Sequence, residues 1–363
     1  MPHDTTPLPA GSMIGILGGG QLGRMLALAA SRLGMRTHIF CPDANSPAFE
    51  VTPHKTVAAY DDQEALAAFA DAVDVITYEF ENVPAATAEF LAARKPLHPG
   101  ANALAISQDR LAEKAFLASK NIPVAGYRAV QTRAELEAAI DDLGLPAVLK
   151  TTRLGYDGKG QRVLRERADA AAAFAALEPK PLVLEAFVPF DKEISVVVAR
   201  NAKGEVRAFD AAENVHTNHI LHTSTVPADI PPGVEKHAAM LAKVIVVALD
   251  YVGVLGVEFF VLSGEDRASL IVNEIAPRVH NSGHWTEAVC LTDQFEQHIR
   301  AVLGWPLGDP ARMADVVMEN LIGKDVDRVP AGLDGNTQPH LYGKTEARPG
   351  RKMAHINTIT RRR

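Results

Sequence analysis

Cysteine is nearly absent from this 363-residue chain: Cys41 and Cys290 are the only two, too few for a disulfide framework and not spaced as a metal-binding pair. Their scarcity fits a reducing compartment, and a cytoplasmic protein is expected. Positive charge is not in excess either. With 37 Lys and Arg against 44 Asp and Glu the net charge is −7, which argues against a nucleic-acid partner whose phosphates need a basic face. The longest apolar run, near 241–249, falls far short of a bilayer span, so no membrane partner is expected. Residues 1–12 lack the basic start, apolar centre and small-residue cleavage site of a secretory signal, and read as a flexible tail. A Walker A loop, G-x-x-x-x-G-K-[ST], is missing as well. What remains is a globular chain, 47% hydrophobic and long enough for two or three cores.

Two carboxylates stand out. Residues 254–262 and 270–276 are rich in β-branched and aromatic side chains and flank a polar, Gly-containing turn, 263–269, which reads as a hairpin. A turn centred near Asp266 puts Glu258 opposite Glu274. Like charges facing each other on a sheet destabilise it, and a carboxylate among Val, Phe and Ile must lose its charge or find a cation. A divalent metal resolves both problems. Few, hard oxygen ligands suit Mg²⁺, whose shell is completed by water and substrate phosphates, so the pair points to nucleotide chemistry. The alternative is a register slip that leaves both side chains in solvent. Against a slip stands the dense polar set leaving the second strand, Arg278, His280, Asn281, Ser282, His284 and Trp285, of the kind that binds ligands.

The chain opens as strand 13–17, helix 21–33 and strand 37–40, with Gly18, Gly20 and Gly23 forming G-x-G-x-x-G and Asp43 about twenty residues on. That is formally a dinucleotide fingerprint, although nothing downstream supplies a hydride-transfer site. The loop offers backbone N–H groups at a helix N-terminus to some anion. Glu79, after strand 73–78, either faces a ligand or is plain surface. Ser107 and Asp109 are candidate N-caps for a helix through Ala118, and Arg110 in its first turn opposes the helix dipole, which hints at an anion nearby. Thr132 and Glu135 form a capping box for a helix ended by Gly144.

Lys150 leads from strand 147–150 into Gly155, Tyr156, Asp157, Gly158, Lys159, Gly160 and Gln161, a flexible cationic stretch able to close over a triphosphate or simply to turn in solvent. Strand 182–184 runs into Glu185, Ala186, Phe187 and Val188 before Pro189 breaks it, and strand 193–200 follows. Such a hinge can offer backbone groups to a purine edge, with Glu193 placed for a ribose hydroxyl. His216, His219 and His222 invite a zinc reading, but a period of three fits neither a strand face nor a helical pair. The helix 231–249 is core. Lys344, Arg351 and Lys352 around glycine turns suit a phosphate monoester or a solvated face.

With these segments assembled, the chain resembles the ATP-grasp superfamily, on GGGQLGRM at 18–25, GYDGKGQ at 155–161, ENVH at 213–216, NEIAPRVHNSGHWT at 273–286 and RPGRKMAHIN at 348–357. The resemblance covers nearly everything after residue 12. It implies an ATP-grasp fold mixing α/β and α+β parts: an N-terminal Rossmann-like, biotin-carboxylase-type domain (13–108), a small lid (109–187) and a C-terminal antiparallel-sheet domain (188–363). It further implies an ATP-dependent carbon–nitrogen ligase of purine biosynthesis that carboxylates aminoimidazole ribonucleotide with bicarbonate through carboxyphosphate.

By position, ATP would contact Arg110, Lys150, the seven residues 155–161, Glu185, Ala186, Phe187, Val188, Glu193, His216, Asn273 and Glu274, with Glu258 and Glu274 on Mg²⁺. Gly20, Gln21, Leu22 and Glu79 would line the ribonucleotide site, Lys344, Arg351 and Lys352 would hold its phosphate, and Ser282 would add a contact. Arg278 would face the carboxyphosphate, and Tyr156, Asp157, His280 and Asn281 would orient the amine or take its proton. A homodimer is the expected assembly. Two departures stand out: Ala276 replaces an Asn that often supplies a third metal ligand, and the chain ends soon after Asn357, where relatives usually continue.

Overall fold

The computed structural model describes residues 6–155, 158–177, 179–262 and 270–362. Each of the three sheets carries one part of the expected architecture.

The first sheet is parallel. β1 (Met13–Leu17) is buried along its whole length, and α1 (Gln21–Arg32) packs Leu22, Met25, Leu26, Ala29 and Ala30 inward at helical spacing. β2 (Arg36–Phe40), β3 (His54–Thr56), α2 (Gln63–Asp71) and β4 (Val75–Tyr78) complete a four-stranded sheet of order β3-β2-β1-β4. The chain reverses its winding between β1 and β4, where an open α/β sheet places its ligand crevice. The glycine turn after β1 and Glu79 after β4 therefore meet. α3 (Ala85–Ala92) and α4 (Ala101–Ser107) close the unit. The segment expected to be a loose tail is tied down at Leu8, whose N–H donates to Leu303 O at 2.9 Å and whose carbonyl accepts from Trp305 Nε1 at 2.8 Å.

α5 (Arg110–Ser119) is capped by Asp109, which accepts from the amides of Leu111 and Ala112, so Asp109 rather than Ser107 starts the helix. Grouped with the lid by sequence order, this helix instead sends Leu117 into the apolar core of the C-terminal sheet, together with Ile122. The lid proper is a four-stranded antiparallel sheet, β5-β8-β6-β7, of β5 (Tyr127–Val130), β6 (Ala147–Thr151), β7 (Gln161–Leu164) and β8 (Leu182–Ala186). α6 (Arg133–Leu143), with its Thr132/Glu135 capping box, and α7 (Asp169–Leu177) pack Leu136, Ile140 and Phe174 onto it.

The third sheet has nine strands among the described residues: β9 (Phe190–Arg200), β10 (Val206–Ala208), β11 (Ala212–Thr217), β12 (Ile220–Val226), β13 (Gly253–Leu262), β14 (Leu270–Ala276), β15 (Ala314–Ile322), β16 (Thr337–Leu341) and β17 (Lys352–Arg362). All its ladders are antiparallel, and the path runs β14-β13-β9-β11-β12-β15-β17-β16 with β10 beside β9. α8 (Pro232–Ala248) covers one face with Leu241 and Ile245; α9 (Thr286–Val289) and α10 (Gln294–Val302) lie against the other side and bridge to α1. Asn218 and His219, both at positive φ, make a two-residue hairpin turn between β11 and β12. The three spaced histidines thus fall on a strand, a turn and the returning strand, and form no metal-capable cluster among the described residues. No helix of the described residues is long and apolar enough to cross a membrane.

The glycine motif at the switch point is explained by packing. A Cβ on Gly23 would lie 2.7 Å from Gly18 O, a backbone atom that cannot swing away. Helix propensity alone predicts that Gly23→Ala stabilises α1 by up to about 1 kcal/mol, whereas overpacking predicts a net loss of about 1–3 kcal/mol. The loss is expected, read by denaturant unfolding; a gain would contradict the close approach.

Candidate active site

β13 and β14 pair so that Glu258 and Glu274 are register partners, the opposition expected from the hairpin, although the turn that joins the strands lies outside the described residues. The ladder slips by one residue immediately after Glu258, which twists the strand at this point. Glu258 is half-buried, its Oε2 3.5 Å from Asn273 Nδ2 and its Oε1 3.5 Å from His280 Nε2. Burial, then the charge of Glu274, push its carboxyl up to about 8. A third carboxylate that sequence reasoning missed converges here. Glu113 on α5 is buried, accepts from Ile275 N at 3.2 Å, and is pushed up to about 8 by burial and by Glu274. Nothing in its spacing marks it, because its orientation depends on α5 docking against β14. Buried Glu113, half-buried Glu258 and exposed Glu274, whose charge raises the other two, form a site that wants a hard divalent cation.

Beside this pair, Lys150 Nζ lies 3.0 Å and the buried Lys114 Nζ 3.2 Å from Glu185 Oε2. Burial alone would raise the Glu185 carboxyl, but the two ammonium groups hold it below its ordinary value. Lys114 was not expected. The other oxygen, Glu185 Oε1, is buried with no hydrogen-bond partner. In the following hinge the amides of Ala186 and Phe187 donate to Gly126 O and Pro146 O, while among the described residues the Val188 amide has no acceptor. One acceptor and one donor are thus left over at adjoining points of the hinge, a pattern complementary to a purine edge carrying an amino group.

Arg110, expected at a phosphate, donates to Thr151 O at 3.0 Å and Gly155 O at 2.6 Å, so it clasps the base of the glycine loop. Tyr156 and Asp157 lie outside the described residues. Gly158 abuts His219 so closely that a Cβ would lie 2.7 Å from its side chain, which brings the loop, with Lys159, Gly160 and Gln161, against the β11–β12 turn. Glu193 Oε2 lies 3.3 Å from His216 Nδ1. Burial opposes protonation of His216, but Glu193, aided by Glu258, holds the imidazole above its ordinary value.

At the sheet's switch point a second cleft of about 330 Å³ is lined by Gly18, Gly19, Gly20, Gln21, Asp43, Tyr60, Glu79, Lys344 and Arg351. Leu22, expected to line it, turns into the core instead. Glu79 is neither surface nor free: it is buried, and its Oε1 accepts from Gly20 N at 2.7 Å. That carboxylate occupies the helix N-terminus where a dinucleotide's pyrophosphate would sit, and a Cβ on Gly18 would lie 2.6 Å from its Cγ. The glycines therefore make room for Glu79, which removes the dehydrogenase reading. Lys344 donates to Lys352 O at 2.6 Å; burial, then Arg351, push its ammonium down to about 8. Lys352 itself is not among the residues that line the cleft; its charge is felt at His216 and His280.

Arg278 stands between the clefts. It forms a two-point ion pair with Glu81, and its charge acts on Glu79 on one side and Glu274 on the other. Glu81, unanticipated, is held below its ordinary value despite burial because of that pair. Burial, then Arg278 and Lys352, hold His280 down near 3, so its imidazole is neutral. Two expectations fail here. Ser282 is fully buried, accepting from Ser195 Oγ at 2.6 Å and meeting His280 Nδ1 at 2.8 Å, so it orients the histidine and touches no open space. Asn281 exchanges amide hydrogen bonds of 2.9 and 2.7 Å with the buried Asn320, which anchors the segment and leaves the amide poorly placed to handle an amine. Polar residues leaving a strand can fold inward when a buried partner awaits them.

Comparison with known proteins identifies three family models along the chain, the second of which spans both the lid sheet and much of the C-terminal sheet. Residues 12–108 match the ribonucleotide synthetase preATP-grasp domain, 115–295 the ATP-grasp domain and 316–363 the phosphoribosylaminoimidazole carboxylase C-terminal domain. The chain is 54% identical to the N5-carboxyaminoimidazole ribonucleotide synthase of Brucella melitensis over 98% of both chains. It superposes on the ADP complex of an N5-carboxyaminoimidazole ribonucleotide synthetase with a TM-score of 0.94 at 43% identity, covering 98% of this chain and 94% of that one. The N5-carboxyaminoimidazole synthase of Aspergillus clavatus, solved with ADP and 5-aminoimidazole ribonucleotide, gives 0.90 at 32% identity over 96% and 94%.

The carboxylate cluster has a thermodynamic signature. Glu258 and Glu113 keep protons in the folded protein up to about pH 8 that the unfolded chain releases near its ordinary 4.5. These two groups should therefore contribute stability to the metal-free protein that is lost as pH rises from about 5 to 8, against the opposite trend of buried neutral histidines such as His280 and His298. Mg²⁺ should restore most at the alkaline end, and Glu258→Gln should flatten both trends. A stability difference between the unaltered protein and Glu258→Gln that stays constant over this range in metal-free scanning calorimetry would contradict the placement of these groups.

Proposed function

The chain belongs to the N5-carboxyaminoimidazole ribonucleotide synthase family of ATP-grasp ligases, and we propose that its two clefts act in succession, one activating bicarbonate with ATP and the other presenting aminoimidazole ribonucleotide. The protein is an ATP-dependent carbon–nitrogen ligase that carboxylates aminoimidazole ribonucleotide to its N5-carboxyamino product, giving ADP and phosphate, in purine biosynthesis. The observation that carries this reading is the facing pair Glu258 and Glu274, linked through Glu113 and Lys114 of α5 to Glu185, whose Oε1 is unpartnered.

The residues fit the ligands. Glu185 Oε1 would accept from the adenine amino group and the Val188 amide would donate to the ring, leaving the triphosphate to run toward Lys150 and the two glutamates. Glu258 and Glu274 would hold Mg²⁺, which when bound neutralises phosphate charge. Glu193 and His216, paired at 3.3 Å, lie where the ribose would rest. Lys344 and Arg351 line the second cleft and would take the ribonucleotide's 5′-phosphate, with Gly20, Gln21 and Glu79 around the sugar.

In the first step a bicarbonate oxygen attacks the γ-phosphorus and the bond to the β-phosphate oxygen breaks, giving carboxyphosphate and ADP; positioning and charge dominate such transfers. Lys150 meets the phosphate charge on one side. Arg278, fixed by Glu81, meets the acyl phosphate on the other and lies toward the glycine-loop cleft where the amine waits. In the second step the amine nitrogen bonds to the carboxyl carbon, the bond to the phosphate oxygen breaks, and the amine loses a proton. The departing phosphate takes that proton, since His280, held near 3, is too weak a base to keep it and, neutral and oriented by Ser282, would position the amine instead. Residues 155–161 would close over the phosphates before the water-labile intermediate forms. The dimer expected from the sequence finds support in the exposed apolar stripe of Met240, Val244 and Val247 along α8.

With MgATP, bicarbonate and aminoimidazole ribonucleotide together, the purified protein should release ADP, and omission of either co-substrate should suppress that release. Loss of a metal-bound carboxylate removes several kcal/mol of transition-state stabilisation, so Glu274→Ala should slow turnover by at least about 100-fold. No ADP release with all substrates present would defeat the assignment, and turnover on formate in bicarbonate-depleted buffer would redirect it to a transformylase.

A further inference from the structure

Away from both clefts, three side chains converge for which no step above has a use. His340 on β16 and His355 on β17 are register partners, so their imidazoles project from adjacent strands onto one face, with ring centroids 5.3 Å apart and planes 18° from parallel. Glu287 on α9 reaches both. Its Oε1 lies 3.4 Å from His340 Nδ1 and its Oε2 3.3 Å from His355 Nε2, and one ligand atom from each residue falls within 4.8 Å of the others. Among the described residues no other group of three His, Cys, Asp or Glu side chains gathers so closely.

These contacts are not satisfied hydrogen bonds. Glu287 Oε2 and His355 Nε2 are both buried without a hydrogen-bond partner, although they face each other. Orphan pairs of this kind call for an unseen partner. A tetrahedral ion with bonds of about 2.1 Å holds its ligand atoms about 3.4 Å apart. Each carboxylate oxygen stands at about that distance from its own imidazole, Oε1 at 3.4 Å and Oε2 at 3.3 Å, and one ligand atom from each residue, within 4.8 Å of the others, would draw closer around an ion. The outer shell is also in place: Tyr342 Oη lies 3.0 Å from His355 Nδ1, a bond that fixes the fully buried ring and leaves Nε2 for an ion. Two imidazoles and a carboxylate, with water in the fourth position, suit Zn²⁺ better than Mg²⁺ or Ca²⁺.

We propose that Glu287, His340 and His355 form a zinc site that clamps α9 to the β16–β17 ribbon. The connection between those two strands carries Lys344 and Arg351, so the ion would steady the cations of the ribonucleotide cleft without touching substrate.

The full-length protein, stripped with chelator and returned to buffer containing excess Mg²⁺ to fill the carboxylate pair, should bind one Zn²⁺ per chain and melt at a higher temperature with it. Co²⁺ in its place should give the intense visible bands of a tetrahedral centre. His340→Ala and Glu287→Gln should lose this stoichiometric binding, Tyr342→Phe should weaken it by about tenfold or more, and Glu258→Gln should retain it. No saturable Zn²⁺ binding by the unaltered protein would overturn the proposal whatever the variants do. So would binding that survives both ligand substitutions, or that disappears in Glu258→Gln.

Discussion

The mutual repulsion of Glu258 and Glu274 across two hydrogen-bonded strands sets the terms for much of this molecule. A sheet tolerates such a pair only if something positive lies between the carboxylates or one of them keeps its proton. The surroundings follow from that demand. Glu113 deepens the negative field from α5, and Asn273 offers its amide to Glu258. Cations are kept one step away: Lys150 and Lys114 are held at Glu185, and Arg278 is held at Glu81.

Arg278 connects this centre to the second cleft. Its guanidinium is pinned by Glu81, and its charge reaches Glu274 at the end of the C-terminal sheet and Glu79 at the switch point of the first sheet. An arginine held this rigidly keeps its geometry when the neighbouring charges change, which suits the role proposed for it at the acyl phosphate. The glycine turn makes the complementary point. Its three glycines satisfy a dinucleotide pattern, yet the helix N-terminus they open is filled by the chain's own Glu79. The same backbone device that elsewhere binds pyrophosphate here fixes a carboxylate at the wall of a sugar-sized cleft.

Much of this was legible in the sequence where local chemistry fixes geometry. Alternating β-branched residues around a short polar turn set the Glu258–Glu274 register, a capping box started α6, and the glycine turn at 18–23 fell between a buried strand and a helix, as expected. What was not legible depends on contacts across long stretches of chain. Glu113, Lys114 and Glu81 gain their roles only when α5 and the 79–81 loop dock on β14 and β8, and Asn320 only when β15 meets the segment after β14. The misplacements have the same origin. Ser282, Asn281 and Leu22 sit among residues that do face clefts, and only packing shows that they turn inward. Arg110 looked like an anion ligand because it opposes its helix dipole; the loop carbonyls of Thr151 and Gly155 supply the negative charge instead. Leu8 is held by Trp305 and Leu303, partners almost the whole chain away.

The central claim is that one divalent ion bridges the two facing glutamates. A crystal of the protein with ADP and Mn²⁺, which scatters anomalously where Mg²⁺ does not, locates that ion directly. The account predicts an anomalous peak at coordination distance from both Glu258 and Glu274 and in contact with a phosphate oxygen. A peak bound elsewhere, with the two carboxylates turned away from each other into solvent, would contradict it.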